Sequence, residues 1–118
     1  MKTTDKGRLG ENRALKYLEE QGQHLVRRNY HCRRGEIDLI TEEERRLHFV
    51  EVKHWTISME NLEYSIDSRK QRRIVISARD FLVHNGIYNN YEKQFDIVYI
   101  NDEQAVVRYI PGAFEGGD

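Results

Sequence analysis

The chain has 118 residues, of which 38% are apolar and 33% are charged, and its formal net charge is −1. This composition excludes a disordered tail, and the length allows one hydrophobic core, so we expect a single domain over residues 1–118. No apolar run approaches the roughly 20 residues of a membrane span, no signal peptide is visible, and the one cysteine is Cys32, which together predict a cytoplasmic protein without membrane partners or disulfides.

The first half of the chain predicts one helix and three strands. The helix runs from about residue 5 to residue 21, with Thr4 or Asp5 as its N-cap and Gly22 as its C-terminal stop. Residues 23–30 predict a short strand that continues into a basic segment. Residues 35–40 and 47–53 alternate with the period of two of a strand, and the polar residues 41–46 between them predict a hairpin connection.

The second half predicts a helix followed by two strands. Apolar residues recur at helical spacing from about residue 67 to residue 85, and Gly86 follows. Strands are predicted over residues 95–100 and 105–110, joined by residues 101–104. The order αβββαββ predicts an α/β fold with a mixed central β-sheet flanked by helices.

The near-zero net charge conceals two basic and two acidic segments. Residues 1–34 carry nine basic and four acidic side chains, and residues 35–64 carry three basic and eight acidic ones. Residues 65–80 carry five against two, and residues 81–118 carry two against six. These segments are either solvated faces or two basic surfaces flanking an acidic site, as expected where phosphates approach a metal ion.

Apolar pairing indicates the register of the predicted hairpin. If facing residue numbers sum to 89, the apolar residues of the two strands face one another, in the pairs Ile37–Val52, Leu39–Val50 and Ile40–Phe49. The same register places Asp38 directly across from Glu51, with Lys53 on the same face. A shift by one residue would break the apolar pairs.

Two carboxylates at a cross-strand distance repel each other, so a cation must offset them. Mg²⁺ is suited to this position, because it takes one or two carboxylates together with water and substrate phosphate. Lys53 would then stand beside the scissile phosphate. The alternative is a cross-strand salt bridge in which Lys53 reaches Asp38 and Glu51.

Glu11 lies on the apolar stripe of the first helix, which should pack on the sheet. Because glutamate is rarely buried without a partner, a metal site shared with the strand carboxylates explains this position. The alternative is a side chain at the helix end that reaches solvent.

Basic residues recur in two segments that would suit phosphate binding. Cations at the start of the second helix oppose its macrodipole, so phosphate contacts made with backbone N–H groups explain them better than a stabilising role. A merely solvated face is the alternative for each of them. The candidate nucleic-acid-binding residues are Arg33, Arg34, Lys70, Arg72 and Arg73.

The motifs resemble those of the YraN-like uncharacterised family of the UPF0102 type. They comprise Gly7-Arg-Leu-Gly-Glu11, Arg28-Asn29-Tyr30, Gly35-Glu-Ile-Asp-Leu-Ile40, Phe49-Val-Glu-Val-Lys53, Lys70-Gln-Arg-Arg-Ile74 and Phe95-Asp-Ile-Val98. That family is grouped with the Holliday junction resolvase and restriction endonuclease-like superfamily, whose core signature is PD…(D/E)xK. The resemblance covers nearly the whole chain.

The resemblance implies a restriction endonuclease-like fold and a Mg²⁺ or Mn²⁺ site formed by Glu11, Asp38 and Glu51, with Lys53 as a further catalytic residue. It implies an endonuclease that acts on DNA in recombination or repair, with branched DNA as a candidate substrate and a homodimer as a candidate assembly. Trp55 and Gln94 stand where family members usually carry arginine, which bears on substrate affinity. The alternatives are a nucleic-acid-binding protein without efficient cleavage and a protein-interaction domain.

Overall fold

The computed structural model describes residues 5–55, 66–101, 103 and 105–116. It contains the helices α1 (Asp5–Glu20) and α2 (Ser68–His84), a short 3₁₀ helix (Gly86–Tyr88), and five strands. The strands are β1 (His24–Cys32), β2 (Gly35–Glu43), β3 (Arg46–His54), β4 (Glu92–Ile100) and β5 (Val106–Phe114). The predicted order αβββαββ is therefore confirmed, although most strands are longer than predicted.

One mixed sheet forms the centre of the fold, with the strands in the order β1-β2-β3-β4-β5. Strands β3 and β4 are parallel and are connected through α2, whereas all other neighbours are antiparallel. The two helices cover opposite faces, which explains why β3 and β4 are apolar on both sides. This arrangement of sheet and helices is consistent with a restriction endonuclease-like fold.

Each face of the sheet has its own apolar core. On the α1 face the buried side chains are Ala14, Leu18, Leu39, Val50, Val98 and Ile100. The larger core on the α2 face includes Ile37, Ile40, Phe49, Ile74, Ala78, Phe81, Phe95 and Tyr99. Because neighbouring residues of β3 and β4 contribute to different cores, both helices are fixed relative to the same two strands.

The helix ends follow the sequence signals. Gly22 has a φ of 96° and its amide donates to Glu19, while the Gln23 amide donates to Leu18, as in a Schellman motif. At the start of α2 the Asp67 side chain accepts a hydrogen bond from the Lys70 amide at 2.9 Å. For the predicted N-cap of α1, Thr4 lies outside the described residues and the helix already includes Asp5.

The hairpin connection between β2 and β3 is shorter than predicted. Only Glu44 and Arg45 form the turn, both with positive φ, at 45° and 63°. Residues 41–43 and Arg46 belong to the strands, so the assignment of residues 41–46 to a connection was wrong. The prediction took their polar character as a sign of an exposed loop. Thr41 is nevertheless fully buried in β2, where its hydroxyl donates to the Gln23 side chain.

Gly35 is required where β2 passes close to α2. A Cβ atom on this residue would lie 2.9 Å from Oγ of Ser77 and 3.2 Å from the carbonyl oxygen of Arg73. We expect Gly35→Ala to destabilise the protein by about 1–3 kcal/mol, because the helix backbone would have to move. Urea unfolding measures this, with Gly86→Ala as the control, since a Cβ there would lie 3.4 Å from the Asn89 side chain. Equal losses for the two variants would contradict the prediction.

Candidate functional site

Strands β2 and β3 separate at Asp38. Their paired residues run from Glu43 with Arg46 to Leu39 with Val50, which confirms the predicted register over this part of the hairpin. The next two expected backbone pairs, Asp38 with Glu51 and Ile37 with Val52, do not form. Instead, the Asp38 carboxylate accepts a hydrogen bond from the Val52 amide at 2.8 Å. The Asp38 side chain, and not the backbone of β2, thus accepts the hydrogen bond of this β3 amide.

The faces of β1 and β2 change at the same level of the sheet. In a regular strand Ile37 and Leu39 would share a face, but Ile37 packs in the α2 core and Leu39 in the α1 core. On β1, Arg28 donates to Asn12 of α1, whereas Tyr30 donates to Asp80 of α2. Asn29 between them has a φ of 50°, a left-handed conformation that asparagine tolerates. Asp38 therefore lies at the switch between the two faces.

Asp38 is influenced by a carboxylate from each side. Burial raises the pKa of Asp38 to about 8, and the negative charge of Glu51 adds to this effect. Burial also raises the pKa of Glu11, with the charge of Asp38 as the next contribution. Glu11 and Glu51 are only 6% and 8% exposed. The structure thus brings Glu11 and Glu51 each close to Asp38, although they come from three different elements.

One buried oxygen of Glu11 accepts no hydrogen bond from the residues that the structure describes. This oxygen, Oε1, forms an ion pair with Nη2 of Arg28 at 3.6 Å. A buried carboxylate oxygen without a donor is costly, so its position requires an explanation. Arg28 already supplies positive charge beside this oxygen, so a ligand that donates a hydrogen bond would satisfy it.

The three carboxylates do not form a single metal-binding group. Within the described parts of the chain, no set of three or more His, Cys, Asp or Glu side chains is arranged to hold an ion. The pair Asp38 and Glu51 still meets the requirement of Mg²⁺, which binds through one or two carboxylates and keeps several waters. The oxygen ligands are therefore suitable, and the part of Glu11 in metal binding stays a prediction.

The cation at Glu51 comes from α2. Nζ of Lys70 lies 3.1 Å from Oε2 of Glu51. Burial lowers the pKa of Lys70, but Glu51, together with the charges of Asp38 and Glu36, raises it overall. Lys53 is two residues beyond Glu51 on β3, half-buried, and has no carboxylate partner among the described residues. Sequence reasoning gave the neutralising position to a metal ion, with Lys53 as the alternative, and assigned Lys70 to phosphate. The missed signal was a lysine one turn inside a helix that follows the acidic strands.

The two predicted basic segments lie beside each other. Arg33 and Arg34 form the turn between β1 and β2, and the next residue, Gly35, packs against the backbone of Arg73 on α2. Arg72 and Arg73 are exposed, as are both arginines of the turn. One expectation needs correction: the Lys70 amide is already bound by Asp67, so it is not free to bind phosphate. The side chains of this surface carry the positive charge.

A second polar group lies on the α1 face, at the opposite end of β3 from Lys53. The carboxylate of Asp96 is fully buried. It accepts hydrogen bonds from the Tyr109 hydroxyl at 2.6 Å, from the Gly112 amide at 2.9 Å and from the Gln94 side chain at 2.9 Å. Nδ1 of His48 lies 2.7 Å from the same carboxylate. Sequence reasoning missed this group. Its signal was an aspartate within the apolar strand of residues 95–100, a position that requires partners.

The two departures from the family pattern lie in different places. Gln94 belongs to the Asp96 group and pairs in register with His48, three residues before Glu51 along β3. Its replacement of an arginine therefore concerns that group and not the acidic site. Trp55 follows β3 and packs edge-on against Tyr99, with ring centroids 5.3 Å apart.

A sequence model of the uncharacterised protein family UPF0102 matches residues 10–100 of the chain. A UPF0102 protein of Legionella pneumophila is 35% identical over 120 residues, which cover 98% of each chain. Relatives from Lachnoclostridium phytofermentans and Alcanivorax borkumensis, also named UPF0102 proteins, are 39% and 40% identical and cover 92% of this chain. These names state no activity. Neither described helix is both long and apolar enough to cross a membrane.

Proposed function

Because this chain belongs to the uncharacterised protein family UPF0102, we propose its activity from its own site: a metal-dependent endonuclease that hydrolyses phosphodiester bonds of DNA, with branched DNA as the preferred form. The observation that carries the proposal is the acidic pair Asp38 and Glu51 where two strands separate, beside lysines of β3 and α2.

The proposed reaction depends on a divalent cation. Asp38 and Glu51 would hold Mg²⁺ or Mn²⁺, and the bound ion would lower the pKa of a water molecule and polarise the phosphate. Lys53 would stabilise the negative charge that develops on the phosphate oxygens. Glu11, whose buried Oε1 accepts no hydrogen bond from the described part of the chain, would orient a water of the same site.

The basic surface supports a nucleic-acid substrate. Arg33 and Arg34 stand on the turn that packs on α2, and Arg72 and Arg73 stand on α2 itself, the helix whose Lys70 contacts Glu51. Guanidinium groups bind the sugar–phosphate backbone and position it without reading sequence. A substrate recognised mainly by shape fits this arrangement. Two symmetric cuts in a branched substrate would require a homodimer with two sites.

A cleavage assay tests the proposal. Labelled four-way junctions and linear duplexes are incubated with the protein in Mg²⁺, in Mn²⁺ and in EDTA. We expect cleavage of the junction with either metal and none in EDTA. Glu51→Gln, which keeps the size of the side chain, should lower the rate by at least about 10²-fold, because a metal ligand is lost. Uncut junctions under all conditions, with the protein folded, would refute the activity.

A protein of this fold that binds nucleic acid without efficient cleavage is the second candidate. It is favoured by the Lys70–Glu51 ion pair, which places a cation at one of the proposed metal ligands. It predicts salt-dependent binding of DNA with a steep dependence of log affinity on log salt and no metal-dependent cleavage. The same assays separate it from a protein-interaction domain, which would show no such binding.

A further inference from the structure

Lys70 is the one cation within 4 Å of Glu51 in the part of the chain that the structure describes. The main chain of Lys70 is fixed in the first turn of α2, where its amide is bound by Asp67. Its side chain is 40% exposed, whereas that of Glu51 is 9% exposed. The ammonium group therefore lies at the solvent boundary of the acidic pair, on a flexible four-carbon stem.

We infer that Lys70 is a built-in counter-ion that holds the place of the divalent cation at Glu51 and is released to the substrate backbone when that cation binds. The inference rests on the function proposed above. Asp38 and Glu51 lie close together in a poorly hydrated position, where a negative charge on one raises the cost of a charge on the other. Lys70 places a positive charge 3.1 Å from Glu51, so the Glu51 carboxylate is balanced in the metal-free protein.

The same ion pair must be given up when a metal binds. Glu51 would otherwise hold two cations side by side, which costs Coulomb energy at short distance. The new partner of the released ammonium group would be a phosphate of the substrate. Arg73 lies one helical turn further along α2 on the basic surface, where the arginines would attract that phosphate.

This exchange couples the metal to the nucleic acid. The divalent ion frees Lys70 for phosphate, so metal binding should strengthen DNA binding, and by linkage DNA should strengthen metal binding. Lys53, which has no carboxylate partner among the described residues, would not contribute to this coupling. The two lysines thus have different roles, because one responds to the metal and the other stays at the reacting phosphate.

Mn²⁺ affinity without DNA tests the first half of the inference. Free Mn²⁺ is measured by EPR with the wild type, Lys70→Met, Lys70→Arg and, as a matched control on the same helix, Arg72→Met. We expect Lys70→Met to bind Mn²⁺ about tenfold more tightly than the wild type, because a competing charge is removed. Lys70→Arg should stay within about threefold and Arg72→Met within about twofold of the wild type. Equal effects of Lys70→Met and Arg72→Met would overturn the inference.

DNA affinity tests the second half. Fluorescence anisotropy is measured with a phosphorothioate-linked junction in EDTA and in Mn²⁺. Lys70→Met should bind within about twofold of the wild type in EDTA, and at least about fivefold more weakly in Mn²⁺. An equal loss in both conditions would show that Lys70 contacts phosphate regardless of the metal, which contradicts the exchange.

Glu51→Gln separates this inference from the function on which it rests. If Glu51→Gln loses Mn²⁺ binding while Lys70→Met binds like the wild type, the site is metal-binding and the counter-ion role is wrong. If neither the wild type nor Lys70→Met binds Mn²⁺, the proposed metal-dependent function fails, and the counter-ion role fails with it. Far-UV circular dichroism of every variant in EDTA confirms that the compared proteins are folded.

Discussion

Replacing Asp38 by Asn should abolish metal-dependent cleavage and at the same time stabilise the metal-free protein. Cleavage should fall by at least about 10³-fold, because a neutral amide is a poor ligand for a hard divalent ion. The gain in stability has a separate cause. Burial, and next the charge of Glu51, make ionised Asp38 unfavourable in the folded state. The side-chain amide of Asp38→Asn would keep an oxygen that accepts from the Val52 amide, so the separation of the strands would be retained.

The dependence on pH makes this prediction specific. The pKa of Asp38 rises from 3.8 to about 8 on folding, so below 3.8 the carboxyl is protonated in both states and its contribution to the folded protein is fully present. As pH increases from there towards 8, the unfolded chain releases the proton that the folded protein retains, so the contribution is lost. At pH 8 we expect Asp38→Asn to be about 1–3 kcal/mol more stable than the wild type, with the difference disappearing near pH 4.

Urea unfolding in EDTA between pH 4 and pH 8 measures that difference. Asp38→Ala is the matched control, since it removes the charge but also leaves the Val52 amide without its acceptor. It should therefore be less stable than Asp38→Asn at every pH. A wild type that is more stable than Asp38→Asn at pH 8 without metal would refute the electrostatic account of the site.

Periodicity was sufficient for the elements and for much of their arrangement. Alternation in β2 and β3 gave both the strands and the register over Leu39 and Val50, because a shift by one residue would exchange the buried and exposed faces. Gly22 marked the end of α1, since its φ of 96° is one that glycine adopts without cost. These features are local, so they can be inferred from spacing alone.

The site itself departs from periodicity. A period of two places Ile37 and Leu39 on one face, but the strand turns over at Asp38 and sends them into different cores. That change depends on Asn29 of the neighbouring strand and on the Val52 amide, and no local pattern contains either contact. The acidic residues could be found from the sequence, whereas the opening between the strands could not.

The partners of the charged side chains could not be predicted from the sequence either. Glu51 pairs with Lys70, which is separated from it by nineteen positions of chain and belongs to another element. Lys53, the nearer lysine in sequence, projects from the same strand and does not make this contact. Charge patterns predict that cations surround the acids, but the fold decides which cation reaches which acid.

Asp96 joins residues that the sequence keeps far apart, and its removal should cost more stability than any other substitution considered. The carboxylate is fully buried on β4 and accepts hydrogen bonds from Tyr109, from the Gly112 amide and from Gln94. Nδ1 of His48 completes the group at 2.7 Å. Asp96→Ala would leave buried His48 and the part-buried donors of Tyr109, Gln94 and Gly112 without an acceptor, so we expect a loss of about 3–5 kcal/mol in the free energy of unfolding.

Asp96→Ala should also change how the stability of the protein depends on pH in the acidic range. Burial alone would raise the pKa of Asp96, but its hydrogen bonds, with that from His48 the largest, lower it below the ordinary value of 3.8. The unfolded chain therefore takes up a proton first as pH falls, so this contribution is present above 3.8 and is lost as pH decreases through the lower folded pKa. Wild-type stability should fall in that acidic range more steeply than that of Asp96→Ala.

Two further variants distinguish the carboxylate from its partners. Tyr109→Phe removes one donor to Asp96 and also the acceptor of the buried Gln23 side-chain amide, so it should cost about 1–3 kcal/mol. Asp96→Asn keeps the shape of the side chain but presents an NH₂ group at one oxygen position, where only the Tyr109 hydroxyl and the His48 tautomer with an unprotonated Nδ1 can accept from it, so its loss should be smaller than that of Asp96→Ala. Urea unfolding at pH 7 ranks the three variants. If Asp96→Asn were as stable as the wild type, the charge of Asp96 would have no part in holding β3, β4 and β5 together, and its burial would need another explanation.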